Sequence, residues 1–182
     1  VDDDRELVRA LRAQHPSAFD RLYERYHRRI WRYLARVAGN AAEDLFQETW
    51  IAAARNAHLL RDDSAPLPWL FTIAHNKYRN GARAFARQSS MRAALAAAPT
   101  AEAAAVDETV HLQRQMAKVQ AALARLPEAY REVVHFSLIE GLEAGEVGTI
   151  LGCSSDAVRK RLSRARQELL RLSGADCGRR LE

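Results

Sequence analysis

The stretch LGCSSDAVRKRLSRARQELLRL, Leu151 to Leu172, places Arg159, Lys160, Arg161, Arg164, Arg166 and Arg171 within thirteen residues, fewer than four turns if the segment is helical. On a helical wheel Val158, Leu162, Ala165, Leu169 and Leu172 step by four and three and form one stripe to be buried. Asp156, Lys160, Ser163, Arg164 and Gln167 then point away from it, with Ser155 at the start of the helix and Arg159 on the flank. An outward face that mixes hydrogen-bond donors with positive charge matches the major groove of duplex DNA, where base edges are read by such groups. Just upstream, Glu143 to Leu151 reads as a short helix, and LGCSS as a turn. A helix-turn-helix needs a small residue where its two helices cross, a residue tolerant of positive φ in the turn, and a branched apolar residue facing back from the second helix. Gly148, Gly152 and Val158 meet those needs in order.

A second set of residues lies in AAEDLFQETW. As a helix it turns Leu45, Phe46, Thr49 and Ala53 inward, while Asp44, Gln47 and Ile51 recur at i, i+3, i+7 on the outside, with Glu48 beside them. That face is acidic and apolar at once, which suits a basic partner helix better than water. Taken alone it reads more readily as a solvated acidic face. A third set lies in PWLFTIAHNKYRNGARAFAR, where Lys77, Arg79, Arg83 and Arg87 carry positive charge and no acid occurs from His75 to Arg92. His75, Asn76, Tyr78 and Asn80 add hydrogen-bonding and stacking groups among them, the mixture that holds single-stranded nucleic acid.

The elements that position these sets are helices. The chain has 182 residues, 48% of them hydrophobic, but only 8 Gly and 5 Pro, a balance that favours an all-α fold. Net charge is +5 and the isoelectric point about 9.6, which suits a polyanionic partner. No apolar run approaches a membrane span and no signal-peptide pattern opens the sequence, so the expectation is a cytoplasmic protein without membrane insertion. Cys153 and Cys177 form no metal-binding spacing, and the six His are scattered; free thiols, no metal and no cofactor are expected. Asp2 to Gln14 reads as a helix. HPSAF breaks it and offers Ser17 as the next N-cap. Leu22, Tyr26, Ile30, Tyr33, Leu34 and Val37 then line a helical face that ends at Gly39-Asn40. Further helices are expected over about Ala41 to His58 and Leu67 to Arg87, separated by a loop from Arg61 to Pro68. SSMRAALAAAPTAEAAAVDET is poor in large apolar residues and reads as a flexible tether. A second helical unit follows: Val110 to Arg125, a helix opened by Pro127, and the two helices of the turn motif. The expected architecture is therefore two small helical domains, 1–88 and 108–174, joined by a linker at 89–107, with a tail at 175–182.

AAEDLFQETW, WLFTIAHN, LPEAYREVV and GEVGTILGCSSDAVRKRLSRAR, in that order, resemble the extracytoplasmic-function sigma factors of bacterial RNA polymerase. The resemblance covers most of the chain apart from the linker and the ends. It implies a sigma-2-like helical bundle and a sigma-4-like helix-turn-helix domain, no enzymatic activity, and three kinds of partner: RNA polymerase core, promoter DNA and an anti-sigma factor. It assigns Asp44, Gln47, Glu48 and Ile51 to the polymerase clamp helices, and the Pro127 to Gly141 region to the flap tip. It assigns the minus-10 strand to Asn76, Arg79, Asn80 and Arg83, and a flipped base to the Leu60–Pro66 loop with Leu60, Arg61, Asp62 and Ser64. Ser155, Asp156, Arg159, Lys160, Ser163, Arg164 and Gln167 would read the minus-35 duplex. The chain departs from relatives in carrying Glu143-Ala144-Gly145 where they have Ser/Thr-Tyr, Gly148 where alanine is common, and Leu60 where an aromatic is common.

Two other readings compete. A helix-turn-helix regulator that never meets polymerase explains the C-terminal motif but not EDLFQE or WLFTIAHN. A small helical nuclease built on His75 and Asn76 needs a carboxylate set beside them, and the sequence offers none there.

Overall fold

The computed structural model describes residues 2–61, 65–90 and 120–173. All regular structure among them is helical. The chain divides into two compact units, one built on the helices up to Ser90 and one on the helices after residue 120.

The first unit contains α1 (Asp2–Arg12), α2 (Ala18–Ala38), α3 (Ala42–Asn56) and α4 (Pro66–Ser90), with 3-10 turns at Gly39–Ala41 and Ala57–Leu59. α1 stops because Gln14 adopts φ 53°, outside the helical region, and Pro16 follows two residues later. The expected N-cap does not form. Ser17 makes no side-chain capping bond; its hydroxyl lies 3.1 Å from His15 Nδ1 instead, and Arg21 begins the helical ladder by donating to the Ser17 carbonyl. What secures α2 at this end is α1: Asp3 pairs with Arg21 and Arg25, and the Tyr26 hydroxyl donates to Asp4 Oδ1 at 2.7 Å. α2 ends at Gly39, whose φ of 52° is cheap only for a residue without Cβ.

The face of α2 read from periodicity is the buried one: Leu22, Tyr26, Ile30, Tyr33 and Leu34 are all in the core. Opposite them pack Leu70, Phe71 and Ala74 of α4, which are fully buried, with Tyr33 and Phe71 edge to face at 5.7 Å. α4 begins earlier than its two prolines suggest, at Pro66 rather than Leu67. A helix's first-turn N–H groups have no intrahelical acceptor, so Pro66 and Pro68 sit there without loss of a bond. It also runs to Ser90, two residues past the expected domain boundary. The rest of the expected linker and the tail lie outside the described residues.

His75, expected on a nucleic-acid face, is instead 1% exposed in this core. Its Nδ1 lies 2.9 Å from the Tyr33 hydroxyl. Burial, with a contribution from Arg79, lowers its pKa from 6.5 to about 4. A base whose pKa falls on folding contributes stability that is complete above pH 6.5 and is lost as pH drops through 4, because the unfolded chain binds the proton first. The expected outcome is a loss on the order of 3 kcal/mol across that window. Trp31, Trp50 and Trp69 are the chain's only tryptophans and all lie in this unit, so intrinsic fluorescence follows it selectively. Denaturation at pH 7, 5.5 and 4.5 should show the slope, and His75→Gln should flatten it.

In the second unit residues 120–125 are helical. They precede α5 (Glu128–Val134), which passes into a π-helical turn at His135–Ile139, then α6 (Ala144–Leu151) and α7 (Ser155–Ser173). Leu126, Val134 and Ala165 form the centre, with Leu123, Tyr130, Leu162, Leu169 and Leu172 packed against it. His135 is a buried core neighbour, as its apolar surroundings suggest, with Nε2 3.7 Å from Glu140 Oε1.

The turn motif matches its expected chemistry. Gly152 has φ 65° and ψ 41°, and both it and Cys153 donate to the Gly148 carbonyl, closing α6. A Cβ on Gly148 would stand 2.6 Å from the Cys153 carbonyl oxygen, which is inside van der Waals contact. Glu143, where relatives carry Ser/Thr, still starts the helix well: it forms a reciprocal capping box with Glu146. The expected effect of Gly148→Ala follows from two opposed terms. The methyl group gains about 1 kcal/mol of helix propensity, and forcing the turn outward costs about 1–3 kcal/mol. A net destabilisation is expected, read as faster amide exchange at Gly152 and Cys153 and a lower denaturation midpoint by circular dichroism.

Candidate nucleic-acid and protein-binding interfaces

On α3, Thr49 and Ala53 are fully buried, and the Thr49 hydroxyl donates to the Leu45 carbonyl at 2.6 Å. Leu45 and Phe46 are half-buried. Trp50 was missing from the inward set read from sequence. It is the main anchor of this helix, 7% exposed and packed edgewise on Phe19 and Tyr23. Its place four residues after Phe46 was the available signal. With that face turned in, Asp44, Gln47 and Ile51 all stand in solvent, Ile51 with 53% of its surface exposed. Glu48 behaves differently. Its Oε2 accepts from Lys77 Nζ of α4 at 2.9 Å, so this carboxylate lies at the α3–α4 seam and neutralises one of the charges expected to meet DNA. With both groups largely solvated the pair contributes well under about 1 kcal/mol. Its effect is on where the charges lie.

Along α4, Asn76 and Asn80 are exposed one turn apart, and Lys77, Tyr78 and Arg79 are half-buried between them. The side chain of Arg83 lies outside the described residues, as do Asp62 and Ser64. Arg61 is exposed. Leu60 is not: it is 4% exposed, with its N–H closing the 3-10 turn on Ala57. The expectation that its side chain meets a base is corrected, because an apolar residue at the end of that turn gains more by burial. Its role is to anchor the start of the loop.

On α7 the wheel holds. Val158 and Ala165 are buried at 1% and 0%, and Leu162, Leu169 and Leu172 pack in the same direction. Asp156, Arg159, Lys160, Ser163, Arg164 and Gln167 are exposed, and Ser155 is half-buried. Ser154, overlooked in the sequence, caps the helix: its Oγ accepts from Ala157 N–H at 3.2 Å. Three of the basic residues are already engaged, Arg171 with Glu168 on the same helix. Arg159 pairs with Asp156 at 2.7 Å, and Arg161 turns back to Cys153 Sγ at 3.6 Å. Lys160 and Arg164 are four apart, so they form one outward basic row. Cys153 is a free thiol; Cys177 lies outside the described residues.

Among the described residues no three His, Cys, Asp or Glu side chains gather into a metal site, and no helix is long and apolar enough to cross a membrane. His75, on which a nuclease would depend, is in the core.

Residues 22–88 match the model of sigma-70 region 2, and residues 116–169 match that of sigma-70 region 4. The RNA polymerase sigma factor CarQ of Myxococcus xanthus is 33% identical over 160 residues, covering 87% of this chain and 90% of its own. The ECF sigma factor SigM of Mycobacterium tuberculosis is similar at 34% identity, over 94% of this chain and 85% of its own. The chain belongs to the extracytoplasmic-function sigma factors. Among solved structures, CnrH in complex with the cytosolic domain of CnrY matches with a TM-score of 0.64 at 26% identity, covering 95% of this chain and 98% of that one. RpoE of Bartonella quintana, solved with the anti-sigma factor NepR, shares the fold with a TM-score of 0.68 over 88% of this chain and 99% of that one. A sigma factor works by binding and is not an enzyme.

Proposed function

We propose that this sigma factor docks on RNA polymerase core through the α3 face and directs it to promoters read by α4 and α7. The observation that carries the proposal is the row of Asp44, Gln47 and Ile51 on the outside of α3. An isoleucine with half its surface in water, set between acidic and amide groups, is a surface made to be covered. A helix-turn-helix regulator that never meets polymerase has no use for it.

Each surface has a distinct task. Positive charge on α4 and α7 draws the protein to phosphate, without regard to sequence. Lys160, Ser163, Arg164 and Gln167, with Ser155, Asp156 and Arg159 beside them, read base edges of the minus-35 element in the major groove. Asn76 and Asn80 of α4, flanked by Arg79 and Arg83, hold the unpaired minus-10 strand. The loop carrying Arg61, Asp62 and Ser64 receives a base turned out of the stack, and its binding offsets the unpairing. Leu138 and Ile139, 49% and 52% exposed in the π-helical turn, belong to the Pro127 to Gly141 region and cover the polymerase flap tip. An anti-sigma factor is the expected regulator, by analogy with the complexes of similar proteins.

The test is run-off transcription with cognate core polymerase on promoters from the source genome, beginning with the promoter of the protein's own gene. A discrete transcript that requires both core and this chain is expected. No stimulation, together with retained binding of the protein to the same duplexes, would leave the regulator reading in its place.

A further inference from the structure

Residues 138–140 of the second unit are turned against their chemistry. Leu138 and Ile139 keep 49% and 52% of their surface exposed, while the acid that follows them, Glu140, is 7% exposed. Burial of apolar surface favours the opposite arrangement, with the two large aliphatic side chains inside and the carboxylate in water. A local conflict of this kind persists only where other contacts impose it.

The backbone shows what imposes it. α5 gives way to the π-helical turn at His135–Ile139, and Glu140 N–H donates to the His135 carbonyl, five residues back, at 3.0 Å. In an α-helix residues 135 and 140 would point about 140° apart. The wider π-turn brings residues five apart toward one side. The side chains of His135 and Glu140 therefore both turn inward, 6% and 2% exposed, with Nε2 3.7 Å from Oε1. The imidazole lies against the ring of Phe136, centroids 5.0 Å apart, and Phe136 is fully buried. Gly141 then takes φ 69°, and Leu142 N–H donates to the Phe136 carbonyl at 3.0 Å, which closes the turn on its far side.

We propose that His135 and Glu140 are positioning residues: their buried pairing holds the π-turn, and the π-turn holds Leu138 and Ile139 outward as a preformed apolar contact for a partner protein. Removing His135 leaves the Glu140 carboxylate buried without the partner that offsets its desolvation. The least costly relief is rotation of the last turn toward α-helical geometry, which carries Glu140 to solvent and turns Leu138 and Ile139 in. An apolar contact fixed before binding loses less entropy on association than one that must be ordered by it. That the partner is the polymerase flap tip rests on the function proposed above; the latch itself does not.

The experiment uses the full chain with labelled methyl groups, a gadolinium cosolute that broadens exposed methyls in NMR spectra, and a synthetic peptide of the cognate polymerase flap tip. In the wild type the Leu138 and Ile139 methyls should broaden strongly, and the Glu140 and Leu142 amides should exchange slowly. His135→Leu should speed exchange at both amides by at least about tenfold, shield the two methyl sets from the cosolute, and weaken the flap-tip peptide by at least about tenfold. His135→Gln, which sets an amide donor near the place of Nε2, should keep the turn. The double variant His135→Leu/Glu140→Leu should regain both the turn and the binding, because an apolar residue at 140 is again driven inward. If His135 serves only to fill space, a change at 140 gives no such rescue. Circular dichroism melting and binding of the minus-35 duplex verify that the second unit is folded in each variant. If His135→Leu alone does not fold, the double variant decides: folding and peptide binding in it uphold the coupling, and their absence refutes it. The proposal is overturned if folded His135→Leu keeps the exchange rates and methyl exposure of the wild type, or if the double variant does no better than the single one. A wild type that fails to bind the flap-tip peptide refutes the partner, and the exchange and methyl measurements then judge the latch by itself.

Discussion

Asp44→Lys is expected to cost the sigma factor most of its affinity for polymerase core. Asp44 is exposed on α3, so the substitution leaves the core packing of Thr49, Trp50 and Ala53 as it is. In the proposed docking on polymerase, the same position faces a basic helix. Reversing the charge then removes an attraction and adds a repulsion, together about 2–4 kcal/mol, or a weakening of about 30- to 1000-fold. Ile51→Ala should cost less, about 1–2 kcal/mol of apolar burial. Glu48→Gln should cost least, because Lys77 already holds that carboxylate at 2.9 Å. A titration of labelled protein against core, with duplex binding through α7 as the control, ranks the three. Equal affinities for wild type and Asp44→Lys would place the polymerase site elsewhere.

Lys160→Ala and Arg164→Ala are each expected to weaken binding to the specific minus-35 duplex by about 1–3 kcal/mol. Both side chains are exposed on the row opposite Val158 and Ala165, so folding should change little. Arg159 supplies the contrast. Its guanidinium is paired with Asp156 at 2.7 Å, and DNA must compete with that carboxylate for it. Asp156→Ala should therefore raise affinity for cognate and scrambled duplexes and steepen the salt dependence, losing in discrimination only the base contact of Asp156 itself, while Lys160→Ala and Arg164→Ala lower both affinity and discrimination between promoters. Electrophoretic mobility shifts on cognate and scrambled duplexes at two salt concentrations separate the two effects. If neither Lys160→Ala nor Arg164→Ala alters discrimination, another face of α7 does the reading.

Sequence alone determined what depends on one element and its immediate neighbours. The stripe Val158, Leu162, Ala165, Leu169 and Leu172 sorts α7 into an inner and an outer face because the helical repeat fixes direction whatever the surroundings. The same holds for Leu22, Tyr26, Ile30, Tyr33 and Leu34 on α2, and for Asp44, Gln47 and Ile51 on α3. Gly152 is legible because only its own backbone angles are at issue, and Gly148 because the close crossing it permits is only five residues away in the chain. Tertiary structure decided whatever depends on which neighbour arrives. His75 carries polar atoms on a helix rich in charge, yet Tyr33, 42 residues earlier, gives it a partner within the core. Glu48 belongs by spacing with Asp44, yet Lys77 of α4 draws it to the seam. Leu60 sits in a loop, but the packed bundle covers it. Tyr23 and Trp31 follow a helical repeat as regular as that of the core, yet keep 39% and 42% of their surface exposed although Phe46 of α3 packs edgewise on both. Periodicity gives the direction of a side chain about its own axis; what meets it there is set by packing across long separations in sequence, and that leaves no local pattern to read.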